Sequence, residues 1–405
     1  MTRSLPSVGR RTFKFFPLRE LYSWYVIVVS EVRHSRRGFL IAAAAAGVAA
    51  AIGGVSVLVT NARGRSSYKE AVSSIWRHGE TTDLPLPAAR RELVRYATLA
   101  ANSHNTQPWH FQLSDRSILV LPDPARRLPA VDPDDHHLFA SLGCAVENIV
   151  QSASAFGLSA HPRYDPDARG IRVDLDTAPR ERTDLFNAIP RRQSTRADYD
   201  GRPVPPEHLR LLEAAGNGDG VRMLLFTERQ QREDILSYLV AGNSAQIDDV
   251  AFVNELKSWI RFSYGEALSA RDGLFSRASG SPVLPAGWIG RLIFSQLFTK
   301  DGENKKYESQ LRSSSGVAVF VSDKNEPASW AEAGRASQRF ALQATALQLR
   351  HAFINQPVEV PAIRGQFATY LGIGDRRPDL VMRFGYGPEL PNSLRRPVED
   401  VVVEA

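Results

Sequence analysis

Residues 103–111 read Ser-His-Asn-Thr-Gln-Pro-Trp-His-Phe, and the reading of this stretch decides the fold. Upstream, Ala88 to Ala101 has a helical pattern, with Leu93, Ala97 and Ala100/Ala101 recurring at spacings of three and four. Asn102 and Ser103 end that helix. A residue before proline is driven toward extended backbone, so Gln107-Pro108 turns the chain. Trp109 and Phe111 then alternate with His110 and Gln112, as at the start of a strand. The result is a helix, a loop rich in amides and hydroxyls, and an aromatic entry into a sheet. Such a loop offers hydrogen-bond donors and acceptors from a rigid scaffold. Without further context, the plainer account of the same residues is a helix–strand connection with a structural tryptophan.

A second polar cluster lies downstream. Pro190-Arg191-Arg192-Gln193-Ser194-Thr195-Arg196 is followed by Tyr199, by Val204-Pro205-Pro206, and by a helical stretch Glu207–Ala215 stopped by Gly216. Arg-x-Ser-x-Arg places two guanidiniums and a hydroxyl within five residues, the charge-assisted donors that a phosphate dianion takes. An isolated arginine cluster is more commonly a solvent-facing turn.

The chain also repeats itself. Gly143, Ala145, Glu147, Ile149, Ala153, Ala155 and Leu158 fall in a helical stretch, Phe139–Leu158. They align with Gly334, Ala336, Gln338, Phe340, Ala344, Ala346 and Leu349 at a constant offset of 191. Small residues at this spacing let a helix pack closely against a symmetric mate. The competing account is two unrelated alanine-rich helices.

The Asn105-Thr-Gln-Pro-Trp109 loop preceded by Ser103 closely resembles the signature of the flavin-dependent nitroreductase superfamily, and the His104-Asn105 pair resembles its Acg subgroup. The Arg192-Gln-Ser194-Thr-Arg196 run resembles that family's opening Arg-Arg-Ser-x-Arg, with Gln193 in place of the usual second arginine. Phe384-Gly-Tyr-Gly-Pro388 resembles its late Gly-Tyr-Pro element, and Arg395-Arg396-Pro397 its final basic pair. The resemblance covers about residues 88–400. It implies an α+β, nitroreductase-like fold whose two related halves form an intramolecular pseudo-dimer. It further implies an FMN site shared between the halves, with Ser103, His104 and Asn105 from one and Arg192, Ser194, Arg196 and Arg395 from the other. By the family match Arg192 and Ser194 would hold the phosphate or ribityl chain, Arg196 would sit near the N1/O2 edge of the ring, and Arg395 would reach back to the phosphate. The flavin does the electron chemistry in such proteins, and no side-chain acid or base is required. The implied activity is reduction of nitroaromatic, quinone or similar small-molecule acceptors, with NAD(P)H as transient reductant. Two other readings stand beside it: a non-catalytic flavin-sequestering protein of the Acg type, and an anchored structural protein with a decayed site.

Composition narrows the setting. The chain has 405 residues with ordinary apolar and charged fractions, enough for two to three domains. Its single cysteine, Cys144, excludes an internal disulfide and a cysteine-based metal centre, and its apolar setting reads as a buried inert thiol. The net charge of +6 resides in residues 1–40, where eight cations face two anions. The remainder is neutral and shows no basic stripe interleaved with aromatics, so nucleic acid is not an expected partner.

Ser35-Arg36-Arg37-Gly38-Phe39-Leu40 matches the twin-arginine export pattern, and the uncharged run Leu40–Thr60 follows it. The expectation is engagement of the twin-arginine translocon and a location in the periplasm or on the outer face of the cytoplasmic membrane. The run would be cleaved or kept as a membrane anchor; a buried alanine-rich helix is its plainer reading. The leader before the arginine pair is long, which suggests a true start downstream of Met1. The expected divisions are residues 1–62 as leader, 63–180 as a reduced first half, and 181–405 as a second half. The second half carries an insertion, 230–312, that would cover the site. Asp132, Asp134, Asp135, His136 and His137 form a cluster that could bind metal, but carboxylates at this position more commonly cap a solvated helix start; no metal is expected. Gly372-Ile-Gly374 is not a dinucleotide fingerprint, because Arg377 stands where its third glycine belongs.

Overall fold

The computed structural model describes residues 54–82 and 84–403. The Ser35–Leu40 motif lies outside them, as does the Leu40–Thr60 run up to residue 53. Among the described residues no helix is long and apolar enough to cross a membrane. The described residues from Gly64 onward form one compact unit.

The helices are α1 (Gly54–Ile75), α2 (Leu86–Thr98), α3 (His136–Ala153), α4 (Asp184–Ala188), α5 (Pro206–Gly216), α6 (Arg229–Asp248), α7 (Val250–Trp259), α8 (Tyr264–Ala270), α9 (Gly287–Leu297), α10 (Lys300–Arg312), α11 (Pro327–Ala346), α12 (Gln356–Glu359) and α13 (Pro361–Leu371). The strands are β1 (Trp109–Leu113), β2 (Ser117–Pro122), β3 (Leu158–Asp165), β4 (Gly170–Thr177), β5 (Val221–Phe226), β6 (Ile260–Arg261), β7 (Leu274–Phe275), β8 (Gly316–Ser322), β9 (Arg350–Phe353), β10 (Pro378–Gly385) and β11 (Val402–Val403). The fold is α+β.

The two main sheets share one topology. The first runs β11-β1-β2-β4-β3 and the second β5-β8-β10-β9. With β11 set aside, both follow the order 1-2-4-3 and every neighbouring pair is antiparallel. In each half a long helix, α3 or α11, follows the second strand and leads into the third. The repeat seen in the sequence is thus a repeat of structure. The exception, β11, pairs parallel with β1 through Phe111 and Val402, so the last strand of the second half completes the sheet of the first. β8 is buried along its whole length, as its unbroken apolar run requires of a strand covered on both faces.

The halves meet where α3 crosses α11. A Cβ on Gly143 would lie 1.9 Å from the carbonyl oxygen of Ala331, and a Cβ on Gly334 would lie 2.0 Å from that of Ala140. These contacts exchange under the offset of 191. So do the next two: Arg339 donates to Glu147 at 3.1 Å, and Gln338 donates to Asn148 at 2.8 Å. The crossing is therefore a pseudo-twofold, with helix backbones in contact because neither glycine carries a side chain.

The halves differ in what they insert. Residues 114–116 join β1 to β2, whereas residues 227–315 join β5 to β8 and hold α6 to α10. Residues 166–169 join β3 to β4, whereas residues 354–377 join β9 to β10 and hold α12 and α13. The sequence pattern around Ile247–Ile260 is broken at Asp249, whose side chain caps α7.

Gly143→Ala should cost about 3 kcal/mol or more in urea denaturation, because the obstructing atom is backbone and cannot swing aside. Gly365, inside α13 with nothing within 4 Å of its Cβ position, is the control; Gly365→Ala should stabilise by roughly 0.5–1 kcal/mol.

Candidate functional site

The loop that follows α2 is held in an unusual backbone. His104, Asn105 and Gln107 all have positive φ, at 47°, 53° and 54°, a region costly for residues with a Cβ and kept only where the surroundings enforce it. Asn102 Oδ1 accepts from the Gln107 amide at 2.8 Å, bridging the loop. Asn105 Nδ2 donates to the Gly273 and Leu394 carbonyls, and Gly273 N returns a bond to Asn105 O. Gln107 donates to Arg271 O and accepts from Arg396 N. The loop is thus fastened to the insertion on one side and to the C-terminal segment on the other.

The seven residues predicted for the site separate into two groups. Ser103, His104, Ser194 and Arg196 line one cavity of about 440 Å³, bringing the two sequence motifs together across the halves. Asn105, Arg192 and Arg395 are not among its lining residues; they are buried and bonded to protein. Arg395 donates to Thr98 O at 2.6 Å, to Asn105 Oδ1 at 2.7 Å and to Ala100 O at 3.3 Å, and Arg192 donates to Leu99 O at 2.8 Å. Trp76 lies against both guanidiniums, 4.9 Å from Arg395 and 5.9 Å from Arg192. Arg395 and the Nη2 of Arg192 thus bond carbonyls at and just beyond the C-terminal end of α2, an indole lies against both guanidiniums, and Arg192 Nε has no partner. Burial lowers both, Arg192 to about 10 and Arg395 to about 9.

Arg196 is positioned by its backbone. Arg383, fully buried, donates to the Thr195 and Ala197 carbonyls, and Gln310 donates to Arg196 O. The Arg196 guanidinium has no hydrogen bond or ion pair among the described residues, and burial lowers its pKa. Beside it, burial and the Arg196 charge push His104 down to about 4, so the imidazole is neutral at pH 7, and its Nδ1 has no partner.

The rest of the cavity has two characters. Its cover comes from α7, α9 and the segment between them, with Phe252, Leu256, Phe262, Ile293 and Phe294 on the wall. This segment lies within residues 227–315, the connection between β5 and β8. The other wall is polar: His137, Asn243, Gln246, Tyr307, Gln356 and Glu359. None of these was singled out for the site from the sequence except His137, and that only as a metal candidate. Cys144 also reaches the wall, buried and donating to Gly334 O, with burial raising its thiol to about 12; it is the inert thiol expected.

Asp132, His136 and His137 do bring ligand-type atoms within 4.8 Å of one another. The Asp132 oxygens, however, accept from the His137 and Leu138 amides at 2.9 and 2.8 Å, capping α3, and His136 Nε2 pairs with Asp379 at 2.8 Å. The cap is as expected, but the helix start is buried rather than solvated.

No protein-family model matches the chain. Two proteins of Mycobacterium tuberculosis (strain H37Rv) align with most of it. The one described as "Putative NAD(P)H nitroreductase Rv3131" is 25% identical over 336 residues, covering 79% of this chain and 93% of its own. The similarly described acg is 23% identical over 328 residues, covering 77% and 94%. Among solved structures, a nitroreductase with bound FMN from Desulfitobacterium hafniense overlaps at a TM-score of 0.34 and 12% identity, over 55% of this chain and 98% of that one. The FMN-dependent nitroreductase NfnB from Mycobacterium smegmatis, in complex with NADPH, gives 0.33 and 16%, over 50% and 87%. Overlaps of this size carry no weight for the fold, which rests on the strand order and helix crossing above.

The two kinds of arginine should behave oppositely. Arg395→Met strands two buried acceptors, Thr98 O and Asn105 Oδ1, and should cost about 2–4 kcal/mol in denaturant titration. Arg196→Ala removes a cation without a protein partner and should leave the midpoint unchanged or higher.

Proposed function

We propose that this chain is an FMN-binding oxidoreductase of nitroreductase type. It would reduce nitroaromatic, quinone or similar acceptors, with NAD(P)H as transient reductant. One observation carries the reading: Ser103 and His104 from the first half and Ser194 and Arg196 from the second converge on a single cavity, where the arginine has no anion of its own. The similarity to two relatives described as NAD(P)H nitroreductases over about three quarters of the chain agrees with it.

FMN fits the residues present. The volume lies within the range of small-molecule sites, which is roughly 300–1,000 Å³. Its walls supply an aromatic and aliphatic surface for a tricyclic ring, and the partnerless nitrogen of His104 and oxygen of Gln356 offer polar contacts to its edge. An anionic group would meet Arg196 with the hydroxyls of Ser103 and Ser194. Bound there, FMN would supply the hydride chemistry, and the nearby guanidinium would favour its reduced anionic form. Asn105, Arg192 and Arg395 would act from behind, by fixing the shape of the 103–107 loop.

The second reading, a flavin-sequestering protein, is favoured by the cover of α7 and α9, which would shield a bound flavin from acceptors. Purified protein separates the two. The enzyme should carry FMN near one per chain, be bleached by NADPH, and be reoxidised by a nitroaromatic or a quinone; a flavin that bleaches but fails to reoxidise with either acceptor supports sequestration. Arg196→Ala should weaken FMN binding at least about tenfold, the loss expected for one charge-assisted contact; unchanged FMN content would remove Arg196 from the site.

We propose in addition that the protein is exported by the twin-arginine translocon, to the periplasm or to the outer face of the cytoplasmic membrane with Leu40–Thr60 as anchor. The Arg36-Arg37 pair and the uncharged run behind it support this. That pathway carries folded proteins, so FMN would be loaded before export, and outside the cell the reductant would have to be other than cytosolic NAD(P)H. Replacing both arginines by lysine should retain the protein inside the cell, as read by fractionation.

A further inference from the structure

The polar wall of the cavity contains an acid–imidazole pair that the flavin reading does not use. Glu359, the last residue of α12, accepts from Gln246 Nε2 at 2.6 Å through one carboxyl oxygen. Its other oxygen lies 3.6 Å from His137 Nδ1. The far nitrogen of that ring, Nε2, faces the Asp379 carbonyl oxygen at 3.4 Å. A carbonyl only accepts, so the Nε2 contact places a proton on that nitrogen. Nδ1 and the Glu359 oxygen then approach each other only with a hydrogen between them, since two facing lone pairs repel. His137 is buried, its Nδ1 has no hydrogen-bond partner, and both residues line the cavity.

We propose that Glu359 is the proton donor to acceptors reduced in this cavity, and that His137 is the residue that positions it. The proposal rests on the flavin reading above. A quinone that accepts a hydride becomes a hydroquinone monoanion; one proton completes the hydroquinone. The hydride, with its two electrons, would come from the anionic reduced flavin, which is thereby oxidised to the neutral flavin with no proton left over. The proton leaves the Glu359 carboxyl as its O–H bond breaks and the new O–H bond forms on the acceptor oxygen. The resulting carboxylate keeps the Gln246 hydrogen bond and recovers its proton from water.

The surroundings favour the protonated form of Glu359. Burial raises its pKa, and the Asp132 carboxylate adds to that; His137 and the Gln246 hydrogen bond oppose it. Asp379 lies behind His137, bonded to His136, and α10 contributes Glu303, Lys306 and Tyr307 to the same cavity. A donor whose pKa is raised is protonated below that pKa and spent above it. Acceptor reduction should therefore be fast at low pH and fall as pH rises through the Glu359 titration.

The test uses full-length protein in two forms. In FMN-free protein, infrared spectra of the wild type should show a protonated-carboxyl component that disappears as pH rises and is missing from Glu359→Gln, beside the component of buried Asp379, which is raised to about 7 and remains in the variant. In FMN-loaded protein, Glu359→Gln should slow benzoquinone reduction by about 10²-fold at low pH and lose the alkaline fall, with FMN content and the rate of flavin reduction unchanged. Glu359→Asp should keep a titrating limb, and His137→Asn should displace that limb while losing less rate than Glu359→Gln. A Glu359→Gln protein with the wild-type rate and pH profile overturns the donor alone. A wild-type protein without FMN overturns the donor and the flavin reading together.

Discussion

Two helices touch backbone to backbone because two glycines allow it, and the rest of the molecule is arranged around that contact. With Gly143 on Ala331 and Gly334 on Ala140, α3 and α11 approach more closely than any side chain would permit. At that separation Glu147 becomes fully buried, and a buried carboxylate is tolerated only when paired and hydrogen-bonded. Arg335 and Arg339 each reach one of its oxygens at 3.1 Å, and Gln151 donates to the other at 2.7 Å. The helix pair thus brings its own buried ion network, which specifies one register of the crossing and so fixes the two sheets against each other.

A buried chain of amides carries this geometry to the site. Ala101 N donates to Gln338, Gln338 to Asn148, and Asn148 to Tyr96 O. The end of α2 is tied by this path to the crossing. That end also exposes carbonyls with no helical partner, and it is the negative pole of the helix. Arg192 and Arg395 satisfy three of these carbonyls, at Thr98, Leu99 and Ala100. Two buried guanidiniums without carboxylate partners would otherwise be costly. Here the helix end supplies the negative charge, and Arg395 also holds Asn105 in its left-handed backbone. Arg395 thus shapes the loop from behind, while Arg192 braces the carbonyl of Leu99.

Much of this was legible in the sequence, and the parts that were not share a cause. The constant offset between Gly143 and Gly334 gave the repeat, because packing at a twofold imposes the same small residues twice. Ser103 and His104 of the one motif and Ser194 and Arg196 of the other line one cavity because their positions follow from the fold of each half. What could not be read was the direction of individual side chains. Arg192 and Arg196 are four residues apart in an irregular segment, yet one turns to a helix end and the other to the cavity. Trp76 lies before the resemblance begins, so nothing marked it as the ring that would lie against both buried arginines. Glu359 sits in the connection between β9 and β10, where the first half has only a short turn, so no repeat pointed to it. The histidine pair was read as solvated because Asp132, Asp134 and Asp135 precede it; α12 and β10, distant in sequence, cover it instead.

The asymmetry of the insertions makes the two sides of the pseudo-twofold different. The second half carries the long segment between β5 and β8, which roofs the cavity, and the segment between β9 and β10, which brings Glu359 to its wall. The first half keeps short turns at both places and contributes what the roofed groove lacks, the 103–107 loop and His137. Neither half holds a complete set of polar groups, and each complements the other only across the α3–α11 crossing. A change that loosens that crossing should therefore disturb the cavity before it disturbs either sheet, since each sheet is closed by its own strand ladder while the cavity is closed by their relation.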